Sequence, residues 1–235
     1  MAGFSGARPI IVNGLIFIID PSNKECYESG NTFHTVSKDY RYTGNMYNGI
    51  TFTNEGSGSF LYDGTNEHAS ISATNANNFR SLLLNNFSAL IWCKPQQISG
   101  IASRIFGLGY VNQWQFEMRG GAGTRFTINY KKNSTNYFLS NGPNVSFDTW
   151  QQTGFVVDNG VIKHFVNGEF TGHEHTIVGD GNFEEGNQPY SYGNYNTSTD
   201  GRYNGYLSHH AVYNRVLSAN EILENYNSLK GRFGL

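Results

Sequence analysis

Two apolar runs, TGFVVD (153–158) and VIKHFVN (161–167), are separated by nothing but Asn159-Gly160. Both of those residue types accept positive φ, which a two-residue hairpin turn requires at both positions. The pair therefore predicts two antiparallel strands. The same vocabulary recurs along the chain: LIFIID (15–20), GSFLYD (58–63), HASIS (68–72), FSALIWCK (87–94), SRIFGLG (103–109), WQFEM (114–118), TRFTINY (124–130) and NYFLS (136–140). LIFIID is apolar on both faces, as a central strand is, whereas RFTINY alternates. Short strands at close spacing with Gly/Asn turns predict a sandwich or barrel.

Composition agrees. Twenty-eight Gly, 17 Phe, 15 Tyr and 3 Trp with only 14% charged residues favour an all-β globule over a helical bundle or a disordered chain. The 235 residues suffice for one large domain, and no compositional break or internal repeat divides them. A net charge of −2 without a basic run argues against nucleic acid as a partner. The longest apolar run, Leu15 to Ile19, has five residues. A spanning helix needs about 20, so no membrane partner is expected, and the run is too short for a secretory signal. Residues 21–57 read as long loops over short strands. Cys93 has the setting of a small buried thiol, and nothing in the spacing decides whether it pairs with Cys26.

The end of the chain changes character. Ser218 followed by Glu221 forms a capping box. Ile222, Leu223, Tyr226 and Leu229 then recur at helical spacing, and Gly231 offers a stop. A helix over about 219–230 is predicted, its apolar stripe tied to the sandwich.

The stretch YNGYLSHHAVYNRVLSANEILENYNSLKGRFGL resembles the end of a laminin-G-like, concanavalin-A-like jelly-roll domain, in the version common in proteins of bacterial viruses, especially marine ones. Gly205, Tyr213-Asn214-Arg215, Leu217-Ser218, Glu221-Ile222 and Lys230 to Leu235 carry the match. GLIFIIDPSN (14–23), GSFLYDGTNEHASI (58–71), FSALIWCKP (87–95) and the segment from Trp150 to Glu169 are similar to earlier parts of the same pattern. The resemblance implies a β-sandwich of two antiparallel sheets over residues 15–235 with a short C-terminal helix. It also implies a virion setting.

Glycosidases share this sandwich and need two carboxylates about 5–10 Å apart. Here Glu117 stands alone, Glu174 lies between His173 and His175, and Glu184-Glu185 point to opposite sides of any strand. No paired acid motif exists, and no enzyme is expected. His173 and His175 share a face if their segment is a strand; they are either metal ligands or exposed histidines beside a turn. His209 and His210 point oppositely. No cofactor or metal is expected, although related domains often hold calcium in loops, which makes Asp63 and Asn66 candidates beside ordinary turn chemistry.

Two surfaces remain. Residues 187–206 have the Tyr/Asn/Ser/Gly content of adaptable recognition loops, with Tyr190, Tyr192, Asn194, Tyr195 and Tyr203 as a candidate glycan face. The alternative is a solvated loop whose tyrosines pack locally. Residues 1–14 form a lead whose Phe4, Ile10, Ile11 and Val12 either order along a partner or pack back on the sandwich. The expected function is a non-enzymatic virion structural protein, a capsid decoration or fibre-type subunit that contacts other virion proteins, homo-oligomerises in the particle and presents a carbohydrate-adhesive face. The alternative is a tail or cell-surface lectin that binds glycan through 187–206.

Overall fold

The computed structural model describes residues 9–36, 41–83, 85–97, 102–108, 114–120, 124–132, 136–179, 189–193 and 201–235. In chain order the strands begin with β1 (Leu15–Ile19), β2 (Thr32–His34), β3 (Thr43–Tyr47), β4 (Thr51–Thr53), β5 (Ser59–Asp63) and β6 (His68–Ile71). A helix α1 (Ala73–Arg80) precedes β7 (Phe87–Pro95), β8 (Ala102–Leu108), β9 (Trp114–Arg119), β10 (Arg125–Lys132) and β11 (Asn136–Asn144). Then come β12 (Gln151–Asp158), β13 (Val161–Val166), β14 (Glu169–Thr176), β15 (Tyr190–Tyr192), β16 (Asn204–Tyr213) and helix α2 (Ala219–Leu229).

The strands form two antiparallel sheets of eight. The first runs β14-β13-β12-β7-β16-β5-β4, with β1 also paired to β16. β5 pairs with residues 204–207 of β16 and β1 with residues 210–213, so two short strands share one long neighbour. The second runs β11-β10-β9-β8-β15-β6-β3-β2. The Asn159-Gly160 turn has φ of 46° and 83°, as its hairpin requires, and Asn167-Gly168 repeats the device at 50° and 85° to launch β14.

Aromatic rings fill the space between the sheets. Phe17, Phe106, Phe116, Phe155, Trp114 and Tyr190 are all 1% exposed or less. Most meet edge to face or offset, as with Phe17 and Tyr190 at 5.3 Å and 84°. His210 sits among them as a neutral ring. Its Nδ1 lies 2.9 Å from the Leu90 carbonyl, which only accepts, so Nδ1 carries the hydrogen and Nε2 accepts from the Tyr190 hydroxyl. Both cysteines are free and buried. Helix α1 has no apolar stripe to announce it; the Ser72 hydroxyl caps it, accepting from Asn75 N at 3.3 Å.

The outer face of the first sheet is clothed. Leu90, Val156, Phe165, Ala211 and Tyr213 on that face pack against Leu217 and Ile222, and Ile11 joins them. The capping box of α2 is present, with Ser218 Oγ accepting from Glu221 N and Glu221 Oε2 from Ser218 N. Arg215 grips the same carboxylate at 2.6 and 2.9 Å, and this pair holds Glu221 down at about 2. Three details of the expected helix differ. Its buried positions are Ile222, Asn225 and Ser228, while Leu223 is 39% exposed, because the stripe is rotated to let Asn225 bond β16 and the N-terminal lead. Regular helix ends at Leu229, a 3-10 turn spans Lys230–Phe233, and the left-handed stop is Gly234, not Gly231. Beyond the helix, Arg232 pairs with Asp20 and Phe233 stacks on Trp92 at 4.1 Å, so the last residues are half committed to the sandwich.

The described end of the lead, residues 9–14, packs back. Ile11 N donates to Asn225 Oδ1 at 2.8 Å, and Ile11 O accepts from the Tyr213 hydroxyl at 3.0 Å. Both backbone groups and part of the side chain of Ile11 are thus engaged by its own sandwich. Ile10 is half-buried, Val12 is exposed, and Phe4 lies outside the described residues.

Candidate functional site

With one outer face clothed, the chemistry on the other is set by strand alternation. In β9, Trp114, Phe116 and Met118 point into the core, which turns Gln115, Glu117 and Arg119 outward. In β10, Phe126, Ile128 and Tyr130 point inward and Arg125, Thr127, Asn129 and Lys131 outward. Register then decides neighbours. Glu117 stands opposite Arg104 of β8 and Thr127 of β10, and Arg119 stands opposite Arg125. Arg119 Nη1 donates to Glu117 Oε1 at 3.1 Å, and Arg104 Nε to Gln115 Oε1 at 3.1 Å.

Glu117 is buried although it faces outward, and burial raises its pKa while Arg119 and Arg104 pull it back. Solvent is reached by Asn45, Asn141 and Arg125, and in part by Arg104, Arg119, Ser70 and Asn129.

At the far end of the same face, on β3 and β6, Tyr47 lies flat on His68, with centroids 4.5 Å apart and planes at 11°. His68 is buried and Tyr47 is 41% exposed, so the tyrosine presents its free side to solvent over a rigid backing. His68 Nδ1 donates to Asn66 O at 3.4 Å, while His68 Nε2 and Asn129 Oδ1, both from residues of this face, are buried without a hydrogen-bond partner. Gly193 and Gly201 both lie against β8: Gly193 N donates to Ile105 O at 2.7 Å and Arg104 N to Gly201 O at 3.0 Å.

Three of the tyrosines expected to form a glycan face are in the core. Tyr190, Tyr192 and Tyr203 are at most 1% exposed. Tyr190 and Tyr192 point inward on β15, and the hydroxyls of Tyr192 and Tyr203 donate to the carbonyls of Ser208 and Tyr206 at 2.6 and 3.1 Å. A ring without accessible surface offers nothing for a sugar to stack on. Asn194 and Tyr195 lie outside the described residues, as do Glu184 and Glu185.

The other candidates resolve into local chemistry. His175 Nε2 and the Tyr130 hydroxyl are hydrogen-bonded at 2.8 Å and His173 Nδ1 bonds Thr171 O at 3.1 Å, so the two rings serve different partners. No group of three or more metal-ligating side chains occurs among the described residues. Asp63 Oδ1 accepts from Thr65 N at 2.7 Å in an ordinary side-chain turn. Its carboxyl also lies against that of Glu67: burial and this contact raise the pKa of Glu67, and bonds from Thr65 and Glu67 lower that of Asp63. An open pocket of about 550 Å³ beside α2 is lined, among the described residues, by Asn220, Leu223, Glu224 and Asn227, without a ring or a cation. No helix among the described residues is long and apolar enough to cross a membrane.

Sequence reasoning noted Glu117 but not its neighbours. The period-two spacing of Gln115, Glu117 and Arg119 was a readable signal for one strand's contribution.

Comparison with known proteins bears on the fold. No curated protein matches the chain in sequence. Among solved structures, domain 4 of AbnA, a GH43 extracellular arabinanase from Geobacillus stearothermophilus seen with arabinotriose, is 17% identical at a TM-score of 0.64, covering 90% of this chain and 98% of that one. The binding domain of botulinum neurotoxin DC, in complex with SialylT, is 12% identical at 0.70, covering 93% of this chain and 52% of that one. Trypanosoma rangeli sialidase in complex with sialic acid is 13% identical at 0.69, with 95% and 34% covered. The sheets therefore have the arrangement of these domains, while the chain spans about half of the toxin fragment and a third of the sialidase. Residues 63–223 match the family model described as the concanavalin A-like lectin/glucanases superfamily, and with the two-sheet sandwich around them the chain belongs to that superfamily.

Proposed function

We propose that the protein is a non-catalytic carbohydrate-binding domain whose recognition surface is the outer face of the second sheet, β11 to β2. The observation that carries this is the exposed Tyr47 ring laid flat on buried His68 at the end of a row of outward polar side chains. Sugars are bound by this combination: an aromatic plane takes the C–H face of the ring, and oriented polar groups take the hydroxyls. The outward Asn45, Asn141 and Arg125, all exposed, supply hydrogen-bonding groups on that face. Three structural neighbours, an arabinanase domain, a neurotoxin binding domain and a sialidase, are seen with carbohydrate, which supports the reading by likeness of fold.

The non-catalytic part rests on the carboxylates. Glu117 is committed to Arg119, and Asp63 touches Glu67 directly, whereas glycoside hydrolysis requires a separation of about 5–10 Å. The placement proposed for the domain, a virion surface where it contacts other virion proteins, rests on the closing Lys230 to Leu235 motif.

A glycan array tests recognition. Saturable binding that weakens about tenfold in Tyr47→Ala supports the proposal; binding unchanged by that variant removes the face from it. A reducing-sugar assay on array-positive glycans is expected to stay flat. Mass spectrometry of purified particles tests the placement, and absence of the protein sinks it.

A further inference from the structure

Arg119 and Arg125 are directly paired across β9 and β10, and both point outward. Like charges directly opposite on one face of a sheet repel, so such a pair is unusual unless an anion lies between them. Nothing in the strands compensates it fully. Arg119 reaches Glu117 on its own strand, and Arg125, which is exposed, has no ion-pair partner among the described residues. One rung away Arg104 stands opposite the same Glu117. This cationic spot belongs to a chain of net charge −2 and lies on the outer face of the second sheet.

We propose that Arg119 and Arg125 form an anion subsite of that face, which selects a glycan bearing a carboxylate or sulfate over a neutral one. The guanidinium fork matches either group bidentately, which a hydroxyl cannot exploit. Glu117 has two roles here. It fixes Arg119 from within the strand, and being buried it stays off the surface where it would repel the ligand. Asn129, outward and half-buried on β10, extends the row along which neighbouring sugars lie. The inference rests on the face being the recognition surface, which was proposed above from Tyr47 and His68.

The test uses the full chain and three oligosaccharides of equal length: oligogalacturonate for the carboxylate, a sulfated dextran for the sulfate, and unmodified dextran. Calorimetric titration is expected to give about tenfold tighter binding to at least one acidic probe than to the neutral one. Arg125→Gln, a change at an exposed side chain, is expected to abolish most of that preference while leaving the neutral probe within about twofold, and Arg125→Glu to reverse it. Lys24→Gln, exposed in the loop after β1, controls for overall charge and is expected to change nothing. Which acidic probe prevails identifies the anionic group. Equal binding of acidic and neutral probes, or an Arg125→Gln effect no larger than that of Lys24→Gln, overturns the subsite. If the neutral probe still responds to Tyr47→Ala in that case, the face itself survives. Absence of binding to all three probes overturns both.

Discussion

The carboxylate of Asp20, at the end of β1, is held by both terminal nitrogens of Arg232 at 2.8 and 3.1 Å, across 212 residues of sequence. Burial works against the charge on Asp20, and the bonds from Arg232 with the nearby His209 and Ser22 outweigh it, so its pKa is lowered. The side chains are only 21% and 13% exposed, so neither charge has much water to fall back on. Replacing Arg232 by Met strands a nearly buried carboxylate, and such losses cost about 3 kcal/mol. Urea unfolding of Arg232→Met should show that loss, and Asp20→Asn in the same chain should recover part of it. Equal stability of wild type and Arg232→Met would contradict the closure.

The next residue extends the test. Phe233 lies 4.1 Å from Trp92 and 4.7 Å from Trp150, between the 3-10 turn and the sheet. Phe233→Ala should cost about 3–5 kcal/mol as a cavity in a packed cluster, whereas deletion of Gly234 and Leu235 should leave the unfolding midpoint within error. A residue aimed at a neighbouring molecule would give the opposite ranking.

Tyr192 separates core from recognition. Its ring is fully buried and its hydroxyl serves Ser208 O. Tyr192→Ala is expected to lower stability by about 3–5 kcal/mol, seen as a lower melting temperature. Tyr192→Phe removes only the hydroxyl and should cost about 1 kcal/mol, with glycan affinity unchanged. Loss of affinity at full stability would return the residue to a binding role.

Acid should unfold the protein early. Burial pushes His164 and His210 down to about 3 and His209 to about 4, from an ordinary value of 6.5. A histidine depressed in the folded state is neutral there while the unfolded chain takes the proton. Its contribution is therefore complete above pH 6.5 and is lost as the pH falls from 6.5 toward these values. Each adds a slope of about 1.4 kcal/mol per pH unit in that window. Between pH 6.5 and about 5, before carboxylates titrate, His210→Gln should reduce the slope of unfolding free energy by one proton. A pH-independent midpoint over that range would show that these rings are not held neutral by the fold.

How far the sequence carried this reading differs by element. The strands from FSALIWCK to VIKHFVN were visible because their side-chain period is two and their turns contain Asn-Gly, local signals that tertiary contacts did not override. Ser218 and Glu221 announced α2 for the same reason. Helix α1 left no such trace, since only Ala76, Phe79 and Arg80 of its eight residues are buried. The tyrosines of 187–206 misled because Tyr suits a wet loop and a hydrogen-bonded core equally well; Tyr190 and Tyr192 turn inward because β15 sits between β6 and β8. The candidate site was least legible. Arg104, Glu117 and Arg119 become neighbours through the register of β8 on β9, and Arg125 through β10, which composition along one strand does not encode.

The meeting of Ile11 with Asn225 has a practical reach. Both described ends of the chain lie against the same clothed sheet, so a tether attached to Leu235 pulls from the side opposite Tyr47 and Arg125. Any anchor at that end, whether a sensor chip or a larger assembly, works as a stalk and leaves the polar sheet as the outward panel.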